Sequence, residues 1–537
     1  MDNQHDPFLD PSPPPRVASW RETAAGILAL APALFIGQLG WVGMKVTDTA
    51  LLGHVGTHAL AAASLSDLWT MASGVLIQGR VLGIFVGNAV GAAKAGTAPW
   101  QLAGEWLQVS VAVLGAISCF VMGLWAATGP VLRLTRADAA LIPDASYFSL
   151  VLLACIPARV LFSQLQQYLS AQRIVKPAAA VALVGLAANL LLGYLLVLGV
   201  PTGPSRFGGY GFPACPIVTS AVEWLQLLAL AGLFCLCLGY GRQGWPQAVG
   251  WCGVSPAFVT KSRVREYLKL YVPAALSIAS DFWRMSAVGA FAASLSTLDL
   301  AVFTASYRVM WISLVLTGSL TGGVGIKVAQ ALGASRPHDA RRCVVAGLGL
   351  ACVALAAVAA LILAAPRPLA AIFSSDASVL DAFVRARLGL CLATISMNLA
   401  VVLEGLLMAT GRTRAVLLAG LVGSWAGQVP AVALLVVYWR RSLGAVYYGV
   451  AVGYALLCAI LALALSRLDW DLLVAEALAR ANGGEVCRGT AEAPREAQGA
   501  QAATVEPRRA PARGAEAGGE RAGAPPPGEK ERKIPLV

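Results

Sequence analysis

The sequence predicts an all-α polytopic membrane protein with twelve transmembrane helices in two parallel six-helix repeats. Two observations carry this prediction: the composition, and a set of twelve long apolar segments of which the second six resemble the first six. Hydrophobic residues make up 58% of the 537 residues and charged residues only 13%, whereas soluble proteins carry about 25% charged residues. The composition therefore excludes an assembly of soluble domains.

The apolar segments of the first half cover residues 24–46, 59–85, 104–127, 146–168, 178–200 and 214–239. Those of the second half cover residues 268–296, 300–324, 343–364, 386–408, 415–438 and 444–466. About 20 helical residues cross a hydrocarbon core of about 30 Å, and a helix satisfies its own backbone hydrogen bonds in lipid. Each segment is therefore predicted to be one membrane-spanning helix.

These segments divide the chain into five expected regions. They are a disordered cytosolic N-terminus at 1–23, a first lobe at 24–240, a cytosolic inter-lobe loop at 241–265, a second lobe at 266–466, and a cytosolic, mostly disordered tail at 467–537. The distal tail is rich in Ala, Gly, Pro, Glu and Arg and has too few apolar residues to form a core. The N-terminus has no basic stretch followed by a short apolar run, so we expect no cleaved signal peptide.

The net charge of +12 is distributed unevenly between the two sides of the predicted bundle. Loops on the side of the N-terminus carry 15 Lys and Arg residues, against eight on the other side. Short cytosolic loops of membrane proteins are enriched in these residues. We therefore expect both termini in the cytosol, and we interpret the basic charge as a topology signal and not as a nucleic-acid site.

The two halves match residue by residue at a nearly constant spacing. A shift of 242 positions superposes Trp69 on Trp311 and Lys94 on Arg336. The same shift superposes these pairs: Ala63 and Ala305, Ser64 and Ser306, Gly83 and Gly325, Val86 and Val328, Gly91 and Gly333. A shift of 238 superposes Leu165, Ala171 and Lys176 on Leu403, Ala409 and Arg414. Chance similarity of Ala- and Leu-rich helices is the alternative, but matched Trp, Gly and loop cations favour a duplication.

Six spans per half give both halves the same direction in the membrane, which is the parallel kind of repeat. Transporters of this construction place the solute site near the midplane between the halves and alternate access by rocking one half against the other. The repeat therefore indicates a secondary active transporter.

Several motifs resemble the multidrug and toxic compound extrusion (MATE) family. They are TDTALLGHVGTHALAAASL at 47–65, GNAVGAAKAG at 87–96, SQLQQYLSAQRIVKP at 163–177 and VLEGLLMATGRTR at 402–414. The resemblance extends over residues 24–466 and is closest to the DinF-like and plant organic-anion exporter branch. It implies a V-shaped bundle, acting as a monomer in the plasma membrane or an internal membrane. It also implies an antiporter, and not an enzyme, that exports an organic anion or xenobiotic in exchange for protons or sodium, with no cofactor.

Three residues are candidates for cation coupling because intramembrane polar groups are costly and usually functional. Asp48 matches the acidic position that the similar transporters use, although it could instead cap the turn before Gly53. Asn189 matches the family's Asn, but the acidic residue expected one turn later is Gly193. Asp281 lies where the family often carries an acidic residue, and a structural ion pair with Arg284 is the alternative role.

We expect the substrate cavity to be lined by Gln38, Gln166, Arg284 and Glu404. Glu404 is the repeat partner of Gln166, and helix–helix hydrogen bonding is its alternative role. Arg159 and Arg308 are further intramembrane cations that could hold an anion, pair with these carboxylates or reach an interface.

Two prolines and two histidines complete the candidate set. Pro32 and Pro273 superpose at a shift of 241 and are predicted bending points, since proline removes a helical hydrogen bond. His54 and His58 have a metal-like spacing, but no carboxylate lies between them as in a zinc protease helix. No metal site is therefore predicted, and the expected partners are a small organic solute, H+ or Na+, and membrane lipids.

Three other functions fit parts of the sequence less well. A lipid-linked precursor flippase shares the general architecture but usually has more spans or a strongly cationic cavity. A major-facilitator-type transporter would carry a Gly-x-x-x-Asp-Arg-x-Gly-Arg loop between its second and third helices, where this chain has GAAKAGTAPW. An intramembrane enzyme would need clustered catalytic groups, and the only histidine pair within an apolar stretch is that of the HVGTH turn.

Overall fold

The structure is a computed structural model that describes residues 19–135, 138–199, 208–245, 255–372, 376–439 and 441–481. Helices joined by turns make up these residues, and no strand occurs among them. The all-α prediction is therefore confirmed for the described part of the chain.

Ten helices of the described residues are long and apolar enough to cross a membrane, and one bent helix pair adds an eleventh. The remaining predicted segment forms a helix of 33 residues, Lys261–Ala293. Twelve spans are consistent with this count, and we number them 1 to 12 along the chain.

Spans 1 to 6 form the first lobe: Trp20–Val55, Thr57–Lys94, Leu102–Ala126, the bent pair Ile142–Leu153 and Ile156–Ala171, Lys176–Leu198, and Ala214–Cys237. Spans 7 to 12 form the second lobe: Lys261–Ala293, Thr297–Gly333, Pro337–Ala364, Ala377–Ala409, Thr413–Trp439 and Leu443–Ser466. Each lobe has a core of buried apolar side chains, and the core of the first lobe also includes Tyr267 and Tyr271 of span 7.

Several helices extend beyond their apolar segments. Span 1 begins at Trp20, inside the region predicted as the N-terminus at 1–23, because Ser19 and Glu22 form a capping box. Residues 1–18 lie outside the described residues. Span 7 begins at Lys261, where the Thr260 side chain accepts a hydrogen bond from Arg263 N. Helical hydrogen bonding thus continues into polar residues that a search for apolar runs does not include.

The region predicted as the tail, 467–537, begins with a twelve-residue helix, Trp470–Ala481. We call it the C-terminal helix. Leu473 and Ala477 are fully buried, and the helix packs against spans 2, 8 and 9. It is therefore part of the folded bundle, whereas residues 482–537 lie outside the described residues.

The two lobes pack closely where the C-terminal parts of spans 2 and 8 meet, and we call this the closed end. A Cβ atom on Gly91 would collide with Gln330 O, and one on Gly333 would collide with Asn88 O. Only glycine allows this approach of the two backbones.

Span 1 changes its neighbours along its length. Near the closed end Ile27 packs with residues of the second lobe, and the rings of Trp41 and Trp311 lie 6.3 Å apart. Beyond Trp41 the described side-chain bonds of span 1 to other helices stay within the first lobe, as at Lys45 and Asp48. The far half of span 1 therefore carries polar groups into the interior of its own lobe.

Candidate functional site

Asp48 lies in the interior of the first lobe, between spans 1, 5 and 6. Its residue is only 6% exposed. One carboxylate oxygen accepts a hydrogen bond from Asn189 Nδ2 at 3.0 Å, and the other accepts one from Thr219 Oγ1 at 2.9 Å. The structure thus brings together two of the predicted coupling residues. It adds Thr219, which no sequence signal identified.

A third oxygen completes this site. Asn189 is fully buried, and its Oδ1 atom has no hydrogen-bond partner among the described residues. A buried unsatisfied acceptor is costly. Rotation of the amide would let Asn189 Oδ1 accept a hydrogen bond from a protonated Asp48, and a small cation could instead be held by the oxygens of Asp48, Asn189 and Thr219. Gly193, in place of a second acid, packs against Leu51.

The other carboxylates inside the first lobe are paired with cations. Asp67 forms an ion pair with Lys45 at 3.0 Å. Glu223 binds Arg159 through two nitrogens, at 2.5 Å from Nη2 and 3.0 Å from Nε. Sequence reasoning identified Arg159 but missed Lys45, Asp67 and Glu223. Asp48 is therefore the carboxylate of this interior that binds neutral partners only.

Arg284 occupies the interior of the second lobe and is 1% exposed. Its guanidinium donates to Asp281 at 2.8 Å, and the remaining acceptors are Ser424 Oγ, Gln428 Oε1 and Tyr454 OH, at 2.6 to 2.9 Å. The Tyr454 ring also lies 4.6 Å from the guanidinium carbon. These partners enclose the side chain, and the prediction that Arg284 lines the substrate cavity stays a prediction. The alternative, an Asp281–Arg284 pair, describes the geometry.

Glu404 lies in span 10, close enough to Asp281 and Arg284 to interact with their charges. It is 7% exposed, and no hydrogen bond or ion pair is described for it among residues 19–481. Among the described residues, the second lobe therefore places two carboxylates, Asp281 and Glu404, near the buried cation Arg284.

The two predicted cavity glutamines lie on opposite sides of span 1. A Cβ atom on Gly37 would lie 3.0 Å from Gln166 Nε2, and one on Gly318 would lie 3.5 Å from Gln38 Oε1. Gln38 therefore approaches the second lobe, whereas Gln166 stays within the first. Both side chains are half-buried.

The two prolines have different surroundings. The first span is interrupted after Leu28 and resumes at Ala31, so Pro32 is the second residue of the new helix. Pro273 lies inside the continuous helix Lys261–Ala293. The prediction that both act as bending points remains a prediction.

His54 and His58 have separate partners. His54 Nδ1 lies 2.8 Å from the carbonyl oxygen of Ala50, whereas His58 Nε2 pairs with Asp144 at 3.0 Å. Among the described residues no three His, Cys, Asp or Glu side chains are grouped as a metal site would require.

Arg80 is a cation that the sequence reasoning did not single out. It lies in the break of span 2 between the helices Thr57–Gly74 and Leu82–Lys94, and its side chain is exposed. The neighbouring Gly79 lies against the ring of Tyr271 in span 7. No hydrogen bond or ion pair is described for Arg80. It is therefore an exposed charge beside the contact between the lobes.

Comparison with known proteins decides the family. The MatE family model matches residues 33–195 and 273–432, which is more than half of the chain. The chain belongs to the MatE family. The matched blocks begin 240 residues apart, at 33 and 273, in agreement with the internal repeat. It is therefore a multi-pass MATE transporter and not an enzyme.

Relatives and solved structures agree with this assignment. An uncharacterized transporter of Schizosaccharomyces pombe is 24% identical over 85% of this chain and 81% of its own length. Protein DETOXIFICATION 30 of Arabidopsis thaliana is 22% identical over 85% of this chain and 88% of its own length. The crystal structure of the eukaryotic MATE transporter AtDTX14 aligns with a TM-score of 0.76 at 19% identity, covering 86% of this chain and 99% of that chain. The predicted family and two-repeat fold are confirmed.

Proposed function

We propose that this MATE transporter exports a small organic solute in exchange for protons, and that Asp48 is the residue that carries the coupling proton. The observation that supports the proposal is the set of partners around Asp48. Two ion pairs neutralise the neighbouring carboxylates Asp67 and Glu223, whereas Asp48 binds only an amide and a hydroxyl. Protonation of Asp48 neutralises a carboxylate on which the charge of Lys45 acts without forming an ion pair, and it therefore breaks no ion pair.

The site can accommodate both states of the carboxyl group. Charged Asp48 accepts hydrogen bonds from Asn189 and Thr219, as in the structure. Protonated Asp48 can donate to Asn189 Oδ1, the acceptor that lacks a partner. The hydrogen bonds that connect span 1 to spans 5 and 6 therefore depend on whether Asp48 is protonated. A change in their packing is how a proton would bias the orientation of the lobes.

We also propose that the closed end faces the cytosol. Its loops hold Arg173, Lys176, Arg336, Arg412 and Arg414, and this concentration agrees with the positive-inside rule. In that orientation the described structure is closed towards the cytosol. Tags at both ends of the intact protein should then be accessible from the cytosol only.

The coupling proposal is tested by transport in proteoliposomes under imposed gradients. Asp48→Asn keeps the size of the side chain and most of its hydrogen-bonding capacity but fixes it in a neutral form. We expect Asp48→Asn to bind solute and to exchange it between the two sides, but to lose at least about tenfold of the acceleration by a pH gradient. Asn189→Ala should weaken the acceleration less, because Thr219 remains.

Two controls identify other outcomes. Glu105→Gln alters a carboxylate that pairs with Arg263 near the interface and should leave the acceleration unchanged. A sodium gradient replaces the pH gradient in a parallel series. Acceleration by sodium alone, lost in Asp48→Asn, would assign the three oxygens to Na+. Full acceleration in Asp48→Asn would contradict the assignment of Asp48.

The charge of the solute is tested with a matched panel of organic anions and cations in counterflow. Arg80 is an exposed cation beside the lobe contact, and a carboxylate or sulfonate is the group that it would attract. Arg80→Gln should therefore raise the apparent KM for anions and leave that for cations unchanged. The opposite selectivity would indicate that the acidic group of the second lobe receives the solute.

A further inference from the structure

The closed end has an internal symmetry that the side chains reveal. The shift of 242 that relates the two halves places Asn88 on Gln330 as well as Gly91 on Gly333. The two glycines are the close-approach positions of spans 2 and 8. Asn88 and Gln330 are thus equivalent amide residues, and each lies where spans 2 and 8 approach most closely.

Gln330 is held by the first lobe through two hydrogen bonds. Its Nε2 donates to Ala171 O at 2.7 Å, and its Oε1 accepts from Arg173 Nε at 2.8 Å. Arg173 lies in the turn between spans 4 and 5 and has a left-handed backbone, with φ of 67°. Such a conformation is unfavourable for a residue with a side chain. The hydrogen bond from Arg173 to Gln330 helps to offset the cost of this backbone conformation.

Asn88 is held by the second lobe in the same way, but by a different part of the chain. With its amide oriented to satisfy both neighbours, Asn88 donates to Ala329 O at 2.8 Å and accepts from Arg480 Nε at 3.0 Å. Arg480 belongs to the C-terminal helix and not to the turn between spans 10 and 11. The amide of the second lobe is therefore bound by an arginine of the first lobe, and the amide of the first lobe by an arginine of the C-terminal helix.

The residue of the second lobe that corresponds to Arg173 explains why the arginine that binds Asn88 comes from the C-terminal helix. The shift of 238 that relates spans 4 and 10 places Arg173 on Gly411. Gly411 has the same left-handed backbone, with φ of 86°, but no side chain. Arg480 Nη1 lies 3.3 Å from the point that a Cβ atom on Gly411 would occupy. The guanidinium of Arg480 thus reaches the place where a side chain at 411 would begin.

The C-terminal helix is anchored so that Arg480 is held in this place. Arg480 is 8% exposed, and Glu476 pairs with Arg412 of the turn between spans 10 and 11 at 2.9 Å. Burial lowers the pKa of the Arg480 guanidinium from its ordinary value, and the charge of Glu476 opposes this change. A buried guanidinium depends on its polar partners, which here are Asn88 of the first lobe and Glu476 of the same helix.

We propose that Arg480 is a positioning residue for transport, the counterpart of Arg173 supplied by the C-terminal helix, and that the two arginines together lock the closed end. Arg173 of the first lobe holds Gln330, and Arg480 of the C-terminal helix, which Glu476 ties to Arg412 of the second lobe, holds Asn88. The Arg173–Gln330 bond must break when spans 2 and 8 separate during alternating access, and the Arg480–Asn88 bond breaks with it when the Glu476–Arg412 pair keeps the C-terminal helix on the second lobe. This inference rests on the alternating access of the proposed function, but not on the identity of its coupling ion.

The lock is tested by measuring the separation of the lobes directly. Spin labels at the exposed positions Lys94 and His338, introduced as Lys94→Cys and His338→Cys with the native cysteines replaced, report distances across the closed end. We expect one short distance in the parent protein. Arg480→Ala and Arg173→Ala should each raise the ratio of long to short distances by about tenfold, because each removes a bond to a charged donor. Arg414→Ala, at an exposed arginine at the start of span 11, three residues after Gly411, is the matched control.

A rescue variant separates this role from a general loss of packing. Gly411→Arg in the Arg480→Ala background restores an arginine at the position equivalent to Arg173, with a backbone that Arg173 already adopts. It should return the distance distribution towards that of the parent. Unchanged distances in Arg480→Ala would overturn the lock. Opening in Arg480→Ala that Gly411→Arg does not reverse would overturn the equivalence with Arg173. These distances do not depend on proton coupling, so failure here is distinct from failure of the Asp48 proposal.

Discussion

The two lobes descend from one repeated unit in sequence but have different polar interiors. The first lobe holds two separate ion pairs, Lys45–Asp67 and Arg159–Glu223, and a carboxylate on neutral partners, Asp48. The second lobe gathers its charge around one buried arginine, Arg284, with four hydrogen-bond partners.

The difference shows that duplication preserves the backbone contacts more strictly than the interior chemistry. Glycines at equivalent positions of spans 2 and 8 still meet at the closed end, because a larger side chain there would separate the lobes. Among the described interior residues, each lobe has one carboxylate in excess of the cations that pair with carboxylates. In the first lobe this carboxylate is Asp48. In the second it is shared between Asp281 and Glu404.

The largest effect is expected on the free energy of unfolding when the buried ion pair of each lobe is broken. Glu223→Gln leaves Arg159 in the interior without a counter-ion and should reduce the free energy of unfolding by about 3–5 kcal/mol. Asp281→Asn should cost less, about 1–3 kcal/mol, because Arg284 keeps Ser424, Gln428 and Tyr454. Thermal unfolding of the purified protein in detergent measures both.

The control for these variants is a pair at the surface. Asp381→Asn breaks the exposed pair with Arg367 and should change stability by less than about 1 kcal/mol. If Asp281→Asn destabilised the protein as much as Glu223→Gln, the second lobe would depend on a single ion pair and the contrast between the lobes would disappear.

The next largest effect is expected on transport when Glu404 or Asp48, the carboxylates for which no ion pair is described, is made neutral. Glu404→Gln removes a charge for which no partner is described, so it should fold normally. We expect it to raise the apparent KM for organic cations by about tenfold, equivalent to about 1.4 kcal/mol, while keeping the acceleration by a pH gradient. Asp48→Asn should show the reverse pattern. Loss of acceleration in Glu404→Gln together with normal acceleration in Asp48→Asn would move the coupling site to the second lobe.

Sequence reasoning predicted the helices well because lipid restricts the chain strongly. A span must be apolar over about 20 residues, and that signal is visible without any contact information. Asp281 and Arg284 interrupt the apolar segment of span 7, and its helix extends to Lys261 because Thr260 caps it. Helix ends in water depend on such caps and not on apolar length.

The site was predicted only in part because its pairs connect distant segments. Arg159 and Glu223 are 64 residues apart, and nothing in a single sequence indicates which of several carboxylates an arginine will meet. Thr219 carried no signal, since threonine is common in membrane helices. The C-terminal helix did carry one: Leu473, Ala477 and Ala481 recur every four residues and form the buried face.

A smaller effect is expected from equivalent glycines of the two lobes. Gly91→Ala and Gly333→Ala place a Cβ atom against backbone of the opposite lobe, and overpacking of this kind costs about 1–3 kcal/mol. The two variants should lower the melting temperature by similar amounts if the closed end is symmetric. Gly83→Ala, with nothing within 4 Å of its Cβ position, is the control and should be neutral or slightly stabilising. A large difference between the two variants would contradict the symmetry.

The smallest expected effect distinguishes the C-terminal helix from the residues that follow it. Deletion of residues 487–537, which lie outside the described residues, should leave the transport rate per molecule at the membrane unchanged, since their composition cannot form a packed core. A chain that ends at Arg467 also loses the C-terminal helix and with it the bond between Arg480 and Asn88. This shorter chain should show the opening at the closed end expected of Arg480→Ala. Transport normalised to surface abundance, measured for both truncations, separates the two parts. A loss of transport in the longer chain would mean that residues beyond 486 act on the bundle. Normal behaviour of the shorter chain would mean that the second lobe holds the closed end without help from the C-terminal helix.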